Sequence, residues 1–194
     1  MKSAFLCLIS VAIFMGLEAH HCAAADREIL GVAFPEEKMV EGKILKLNGV
    51  ASRKAFGLIK VYAGGFYLET PTQDPEQAIK SRQVKHFVLH YLTDKATSEK
   101  LRDGFIKAIT EANPPELVQA HRMLIERYAG WLDQDMKPGD TSISTYVPEK
   151  GLSLWINDVY KGTIESEVFA QMYYRYNLGE KAEKNLRTGY MGLK

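Results

Sequence analysis

The chain has 194 residues, 46% of them hydrophobic and 25% charged, and a net charge of +1. That length supports one ordinary hydrophobic core and is short for two. A near-neutral balance gives no general electrostatic footprint for nucleic acid or for anionic membranes, so no nucleic-acid partner is expected.

The first residues read as an export signal. Lys2 supplies a positive start, Ala4 to Leu17 is apolar, and Ala23-Ala24-Ala25 offers a small-residue cleavage site before Asp26. The apolar run is too short for a comfortable membrane span, and the polar stretch Glu18 to His21 argues against an uncleaved anchor. The expected mature domain is 26–194, periplasmic or secreted, with no transmembrane segment after cleavage. Cys7 and Cys22 both fall in the removed segment. The mature chain therefore has no disulfide and no cysteine nucleophile, and relies on its hydrophobic core. Removal of Lys2 and Glu18 leaves the net charge at +1.

The first half of the mature chain is strand-rich. Ile29 to Phe34 and Lys43 to Leu47 have short strand patterns bounded by Pro35, Gly42 and Asn48-Gly49. Leu58 to Leu68 is the strongest apolar run, and its Gly64-Gly65 pair predicts a bulge or a close backbone approach. Val84 to Leu92 is another strand. Thr97 or Ser98 caps a helix to Ala112, with Leu101, Phe105, Ala108, Ile109 and Ala112 along one stripe. Asn113-Pro114-Pro115 stops it and starts a second helix, whose buried face is Leu117, Leu124, Tyr128 and Trp131. His121 shares that stripe and is expected to pack in the core.

Strands then return. Thr141 to Val147 alternates, as do Leu152, Leu154 and Ile156, and Asn157-Asp158 predicts a hairpin turn before Val159-Tyr160. Ser166 caps a last substantial helix with Phe169, Met172, Tyr173 and Tyr176 on one face, Tyr174 and Arg175 on a solvated face, and Gly179 as its stop. No repeat or linker divides the chain. The expected fold is a single α+β domain, an antiparallel sheet with helices packed on one face.

Most familiar chemistry is absent. His86 and His90 lie about 13 Å apart along a strand, too far to share one ion, so no metal is expected. No phosphate-binding glycine loop, dinucleotide fingerprint or GxSxG elbow is present, and no cofactor is expected. Tyr62, Phe66, Trp131 and Tyr173 fall on regular apolar faces rather than among basic clusters, which favours core packing over base stacking. Arg53 stands apart: it sits in a small-residue turn beside an aromatic and aliphatic strand, where a cation can hold a carboxylate or an enolate.

The order of residues around Arg53 resembles the chalcone isomerase superfamily. Lys60 to Glu69, KVYAGGFYLE, is similar to a strand of that family, and Asn48-Gly49-Val50-Ala51-Ser52-Arg53 resembles its Gly-x-Gly-x-Arg turn, with Ala51 for the second glycine. Leu92-Thr93-Asp94, Ser98-Glu99-Lys100, Gly151-Leu152-Ser153-Leu154 and Lys161 to Ser166 extend the likeness over most of the mature chain. With the export signal, the chain looks most like the bacterial chalcone isomerase-like proteins. The resemblance implies that Arg53 matches the catalytic arginine, which stabilises enolate charge. It places Tyr62 at the family's catalytic threonine, Thr97 at its tyrosine and Gly104 at its asparagine. Three of four polar groups differ, so the expectation leans away from an enzyme.

The resemblance instead implies a binder of a small apolar or amphiphilic carboxylate, such as a fatty acid. Arg53, Tyr62 and Thr97 are the ligand-binding candidates. Arg53 is expected partly buried in a cleft between sheet and helices, within reach of Tyr62, with Val61, Phe66 and Val88 among the tail contacts. An isomerase (intramolecular lyase) on another substrate and an envelope scaffold are the alternatives. Cleavage between Ala25 and Asp26 should be visible by N-terminal sequencing of the exported protein, and a mature chain still starting at Met1 refutes it.

Overall fold

The computed structural model describes residues 26–55 and 57–193; the expected signal segment 1–25 lies outside them. Two sheets form. A small hairpin pairs β1 (Arg27–Ile29) with β2 (Val32–Phe34). The main sheet is antiparallel and seven-stranded: β3 (Glu37–Val40), β4 (Lys43–Ala55), β5 (Ile59–Leu68), β6 (Lys85–Tyr91), β7 (Thr141–Val147), β8 (Gly151–Ile156) and β9 (Val159–Ile164), in that order. Each strand neighbours the next in sequence, so the main sheet is one long meander, with one helix after β5, three after β6 and two after β9.

The helices are α1 (Pro75–Lys80), α2 (Ser98–Ala112), α3 (Pro115–Ala120), α4 (Arg122–Gly130), α5 (Glu167–Leu178) and α6 (Lys184–Tyr190). They contribute to one core with the sheet face that carries Phe66, Leu68, Phe87 and Leu154. Period-2 alternation sends Leu45, Leu47, Tyr67 and Val88 to the opposite face, where the hairpin residue Phe34 covers them. The expected α+β layering therefore holds, with the β1–β2 hairpin as an added cover on the second face.

Several expectations change in the folded chain. Ile29 to Phe34 is two strands, because Leu30 and Gly31 take φ of 55° and 84° and reverse the chain. Asn48-Gly49 ends no strand. Asn48 is the extra residue of a bulge inside β4, and β4 runs on to Ala55. Its buried side chain donates to the Tyr190 carbonyl at 2.8 Å and accepts from the Thr72 amide at 2.8 Å. Arg53 consequently lies within a strand and not in a turn.

Gly64-Gly65 carries a close approach instead of a bulge: a Cβ on Gly64 would stand 2.3 Å from the Tyr190 hydroxyl. One Cβ on Gly49 would stand 2.1 Å from the Gly189 carbonyl oxygen, so glycine lets α6 lie directly on β4. The second expected helix is broken at His121, which is half-buried and whose ring Nδ1 lies 3.0 Å from the Leu117 carbonyl, so it marks a helix end. Tyr174 is fully buried and not solvated: its ring packs against Phe66, Phe87 and Tyr146. Arg175 is half-buried and donates to the Asn113 side chain. The predicted turn Asn157-Asp158 forms, with φ of 49° and 63°.

Two basic side chains are enclosed at the start of β6. Lys85 donates to the Ile79 carbonyl at 2.8 Å and lies 4.8 Å and 5.2 Å from the Tyr174 and Tyr146 ring centres. Burial lowers its pKa to about 7, with Glu167 opposing. His86, on the other face, is held down at about 3, chiefly by burial and then by Lys38. Its Nδ1 meets the Thr145 hydroxyl at 2.8 Å and its Nε2 has no partner among the described residues.

In the unfolded chain both groups bind a proton at higher pH than in the folded one. Stability should therefore rise from pH 7 to 9 through Lys85, at up to about 1.4 kcal/mol per pH unit, and fall below pH 6.5 through His86. Chemical denaturation across this range checks it, and Lys85→Met should flatten the slope above pH 7.

Candidate functional site

The register of the sheet assembles the site. Arg53 pairs directly with Tyr62, and Tyr62 with Tyr91, so the three side chains form one row across β4, β5 and β6 on the helix-covered face. A second bulge follows at once: Lys54 opposes Lys60, which leaves Val61 as the extra residue. This bulge lies at the end of the sheet nearest the start of α2, and the strands stay paired beyond it to Ala55 and Ile59.

Two adjoining spaces open beside this row. The inner one, about 110 Å³, lies between the sheet and α2, α4 and α5; tyrosines 62, 91, 128, 173 and 176 and serines 142 and 144 contribute to its wall. The outer cleft is about 670 Å³ and mostly apolar, through Ala55, Ile59, Val61, Ala96 and Leu101, with Lys54, Lys95 and Lys100 also on its wall. Arg53, Lys100, Leu101 and Gly104 border both spaces. A Cβ built on Gly104 meets nothing within 4 Å, so this helix position leaves the junction open.

The hydroxyls of the inner space are organised around Ser144, whose Oγ lies 2.9 Å from the Tyr128 hydroxyl and accepts from Tyr173 at 2.9 Å. Burial raises the pKa of Tyr62 well above the ordinary value, with Arg53 pulling the other way, and pushes Tyr91 up to about 12. Burial does the same for Tyr128, Tyr173 and Tyr176. All five stay protonated at physiological pH and can act as hydrogen-bond donors.

Arg53 is the cation of this row. Its side chain is 51% exposed, more open than the sequence suggests, and its Nε stands 3.4 Å from Glu183. So open a pair contributes little to stability. Nε is committed to Glu183, while a guanidinium has further donors to turn towards a ligand.

Of the other sequence candidates, Thr97 lies outside the walls of both spaces. Its hydroxyl accepts from the Lys100 amide and caps α2. Of the expected tail contacts, Val61 lines the cleft, but Phe66 stacks on Phe87 in the core and Val88 faces the opposite side of the sheet. Antiparallel pairing could have pointed from Tyr62 to Tyr91, since both strands are apparent in the sequence. Nothing local to Glu183 or Ser144 marks either as a neighbour of Arg53 or of the cavity. Among the described residues, no group of three or more His, Cys, Asp or Glu side chains could hold a metal ion, and no helix is long and apolar enough to cross a membrane.

A meandering antiparallel sheet with helices on one face, and a cleft beside a strand arginine, define an α+β domain with a candidate ligand cleft. The family model for chalcone isomerase-like proteins matches residues 26–192, and the chain belongs to that family. The fold is similar to that of an Arabidopsis thaliana fatty-acid binding protein, AtFAP1, with a TM-score of 0.66 and 17% identity over 83% of this chain and 92% of that one. No match is found among curated proteins.

The open wall at Gly104 is testable. Gly104→Ala should stabilise the protein by about 0.5–1 kcal/mol, because alanine favours a helix and nothing obstructs its methyl. Gly104→Leu should still fold, by circular dichroism and thermal melting, yet reduce binding of any ligand that reaches across the junction.

Proposed function

We propose that this protein is an exported, non-catalytic binder of a small apolar acid such as a fatty acid. In this reading Arg53 meets the carboxylate, Tyr62 adds a neutral donor, and the outer cleft takes the apolar body. The observation that carries it is the position of Arg53, at the border of a hydroxyl-lined cavity and a mostly apolar cleft. The acid end and the apolar end of one molecule thereby have adjoining compartments. The cleft, at about 670 Å³, is within the usual range for ligand sites of roughly 300–1,000 Å³, and the inner cavity is below it. The tail accordingly lies in the cleft and not in the core. A similar fold in a fatty-acid binding protein supports the reading, and the amino-terminal pattern supports export.

The physics sets the partition of affinity. Apolar burial contributes about 0.8 kcal/mol per methylene, so the tail supplies most of it. The carboxylate needs a partner as it loses water, and a guanidinium offers a two-pronged one. Glu183 competes for that guanidinium at 3.4 Å.

Calorimetry with a fatty-acid series tests the proposal. Affinity should grow with chain length. Arg53→Ala should cost about 1.5–3 kcal/mol, and Glu183→Gln should tighten binding by about 0.2–1 kcal/mol, the range of an exposed ion pair. No binding by the wild type, or equal binding by wild type and Arg53→Ala, overturns it.

An isomerase is the second reading, favoured by the protonated Tyr62 and Tyr91 hydroxyls beside Arg53, a donor set suited to developing enolate charge. Flavanone-forming turnover is nevertheless expected to be negligible. Tyr62 and Gly104 replace polar groups implied by the family resemblance, and loss of one preorganised donor alone costs roughly a hundred- to a thousand-fold. A chalcone absorbance assay at high enzyme concentration checks this.

A further inference from the structure

We propose that the tip of the β4–β5 hairpin docks on an anionic lipid bilayer and sets the mouth of the cleft against it. Leu58 is 88% exposed at this tip and Ile59 is 37% exposed beside it. Lys54 and Lys60 stand directly opposite each other on the two strands. A like-charged cross-strand pair costs stability, and neither lysine has an ion-pair partner among the described residues.

The same end of the sheet carries the cleft. Lys54 and Ile59 belong to both features, and Arg53, Lys95 and Lys100 lie on the cleft wall. Against these five cations stand Glu183, paired with Arg53, and Asp94, paired with Lys95 at 3.7 Å. A chain of net charge +1 thus concentrates positive charge around an exposed apolar tip. Met39 and Ile44 form another exposed apolar pair beside Lys38 and Lys43, but they lie on β3 and β4 away from the cleft, and two further exposed apolar residues lack the cationic setting. Val159 follows Asp158 and precedes Lys161, which is held by Asp133 at 2.7 Å, and Met123 lies beside the ion pair of Arg122 and Glu126.

An anionic bilayer matches both halves of the feature. Leucine and isoleucine enter the boundary between headgroups and acyl chains, while lysines meet the negative surface. Neither signal holds a protein on a membrane alone, and together they give reversible docking. Delivery or collection of an apolar acid through the cleft rests on the ligand reading above; the docking itself does not.

Vesicle flotation of the purified protein decides it, with phosphatidylcholine alone compared with phosphatidylcholine mixed with phosphatidylglycerol. Wild type should favour the anionic vesicles at least tenfold at low salt and lose that preference at high salt. Each lysine near the surface is worth about 1 kcal/mol, roughly fivefold in affinity, so Lys54→Gln with Lys60→Gln should weaken binding roughly 25-fold. Leu58→Asn should weaken it roughly tenfold or more without loss of fold, since Leu58 touches little.

Equal binding by wild type and variants, no preference for anionic vesicles, or no vesicle binding overturns the proposal. So does self-association without vesicles that Leu58→Asn abolishes, because the tip would then cover a second copy. Fatty-acid calorimetry on Leu58→Asn separates the two ideas. Unchanged ligand binding with lost flotation in Leu58→Asn supports both, and wild-type flotation with no fatty-acid binding by either protein removes the ligand reading alone.

Discussion

The fold is organised around α5, which is wedged between the seven-stranded sheet and the other helices. Phe169, Ala170, Met172, Tyr173, Tyr174 and Leu178 are all buried on it, leaving only a narrow stripe through Glu167, Val168, Gln171 and Arg175 towards solvent. Its aromatic rings meet Phe66 and Phe87 from the sheet and Tyr128 from α4. A helix enclosed this way forces a polar requirement onto the core, because each tyrosine brings a hydroxyl that must find a partner. Ser144 meets two of those hydroxyls, and the Lys85 carbonyl takes the Tyr174 hydroxyl at 3.3 Å. The hydroxyl-lined inner cavity is the remainder of this arrangement: it is where ring bulk fails to fill the space between sheet and helices.

That origin explains why the two spaces differ. The inner one is small and bordered by groups already committed to one another, so it suits a polar head or a few waters better than a chain of methylenes. The outer cleft forms beside the second bulge between β4 and β5, where α2 presents Gly104 in place of a side chain. Arg53 stands at the boundary, and its acidic partner comes from the loop before α6. The C-terminal helix thereby affects the site it does not line. It is fixed on β4 by the Gly49 and Gly189 contact and by Asn48, and Glu183 directly precedes it.

The charged interior residues tell the same story. Lys85 is enclosed with one carbonyl acceptor and two aromatic faces that suit its ammonium ion, yet burial outweighs them and lowers its pKa to about 7. His86 is enclosed with one ring nitrogen satisfied. Both lie at the end of β6 away from Arg53, so the pH sensitivity they confer belongs to the fold and is separate from the tyrosine row.

Much of this was legible in the sequence. An apolar run located β5, Val84 to Leu92 gave β6, alternation located β7 and β8, Thr97 or Ser98 and Ser166 marked the starts of α2 and α5, and Asn157-Asp158 named its own turn. These are local signals, in which a residue's chemistry acts on its own backbone. The motif around Arg53 likewise led to the family. Tertiary structure decided the rest. Asn48-Gly49 resembles a strand end because its partner Tyr190 lies 142 residues away. Tyr174 resembles a surface residue because helical periodicity describes one buried stripe and not a helix buried over most of its circumference. The pairing of Arg53 with Glu183, and the two spaces on either side of Gly104, arise only when β4, α2, α5 and α6 are brought together. Their positions depend on packing across the sheet, which no short stretch of sequence encodes.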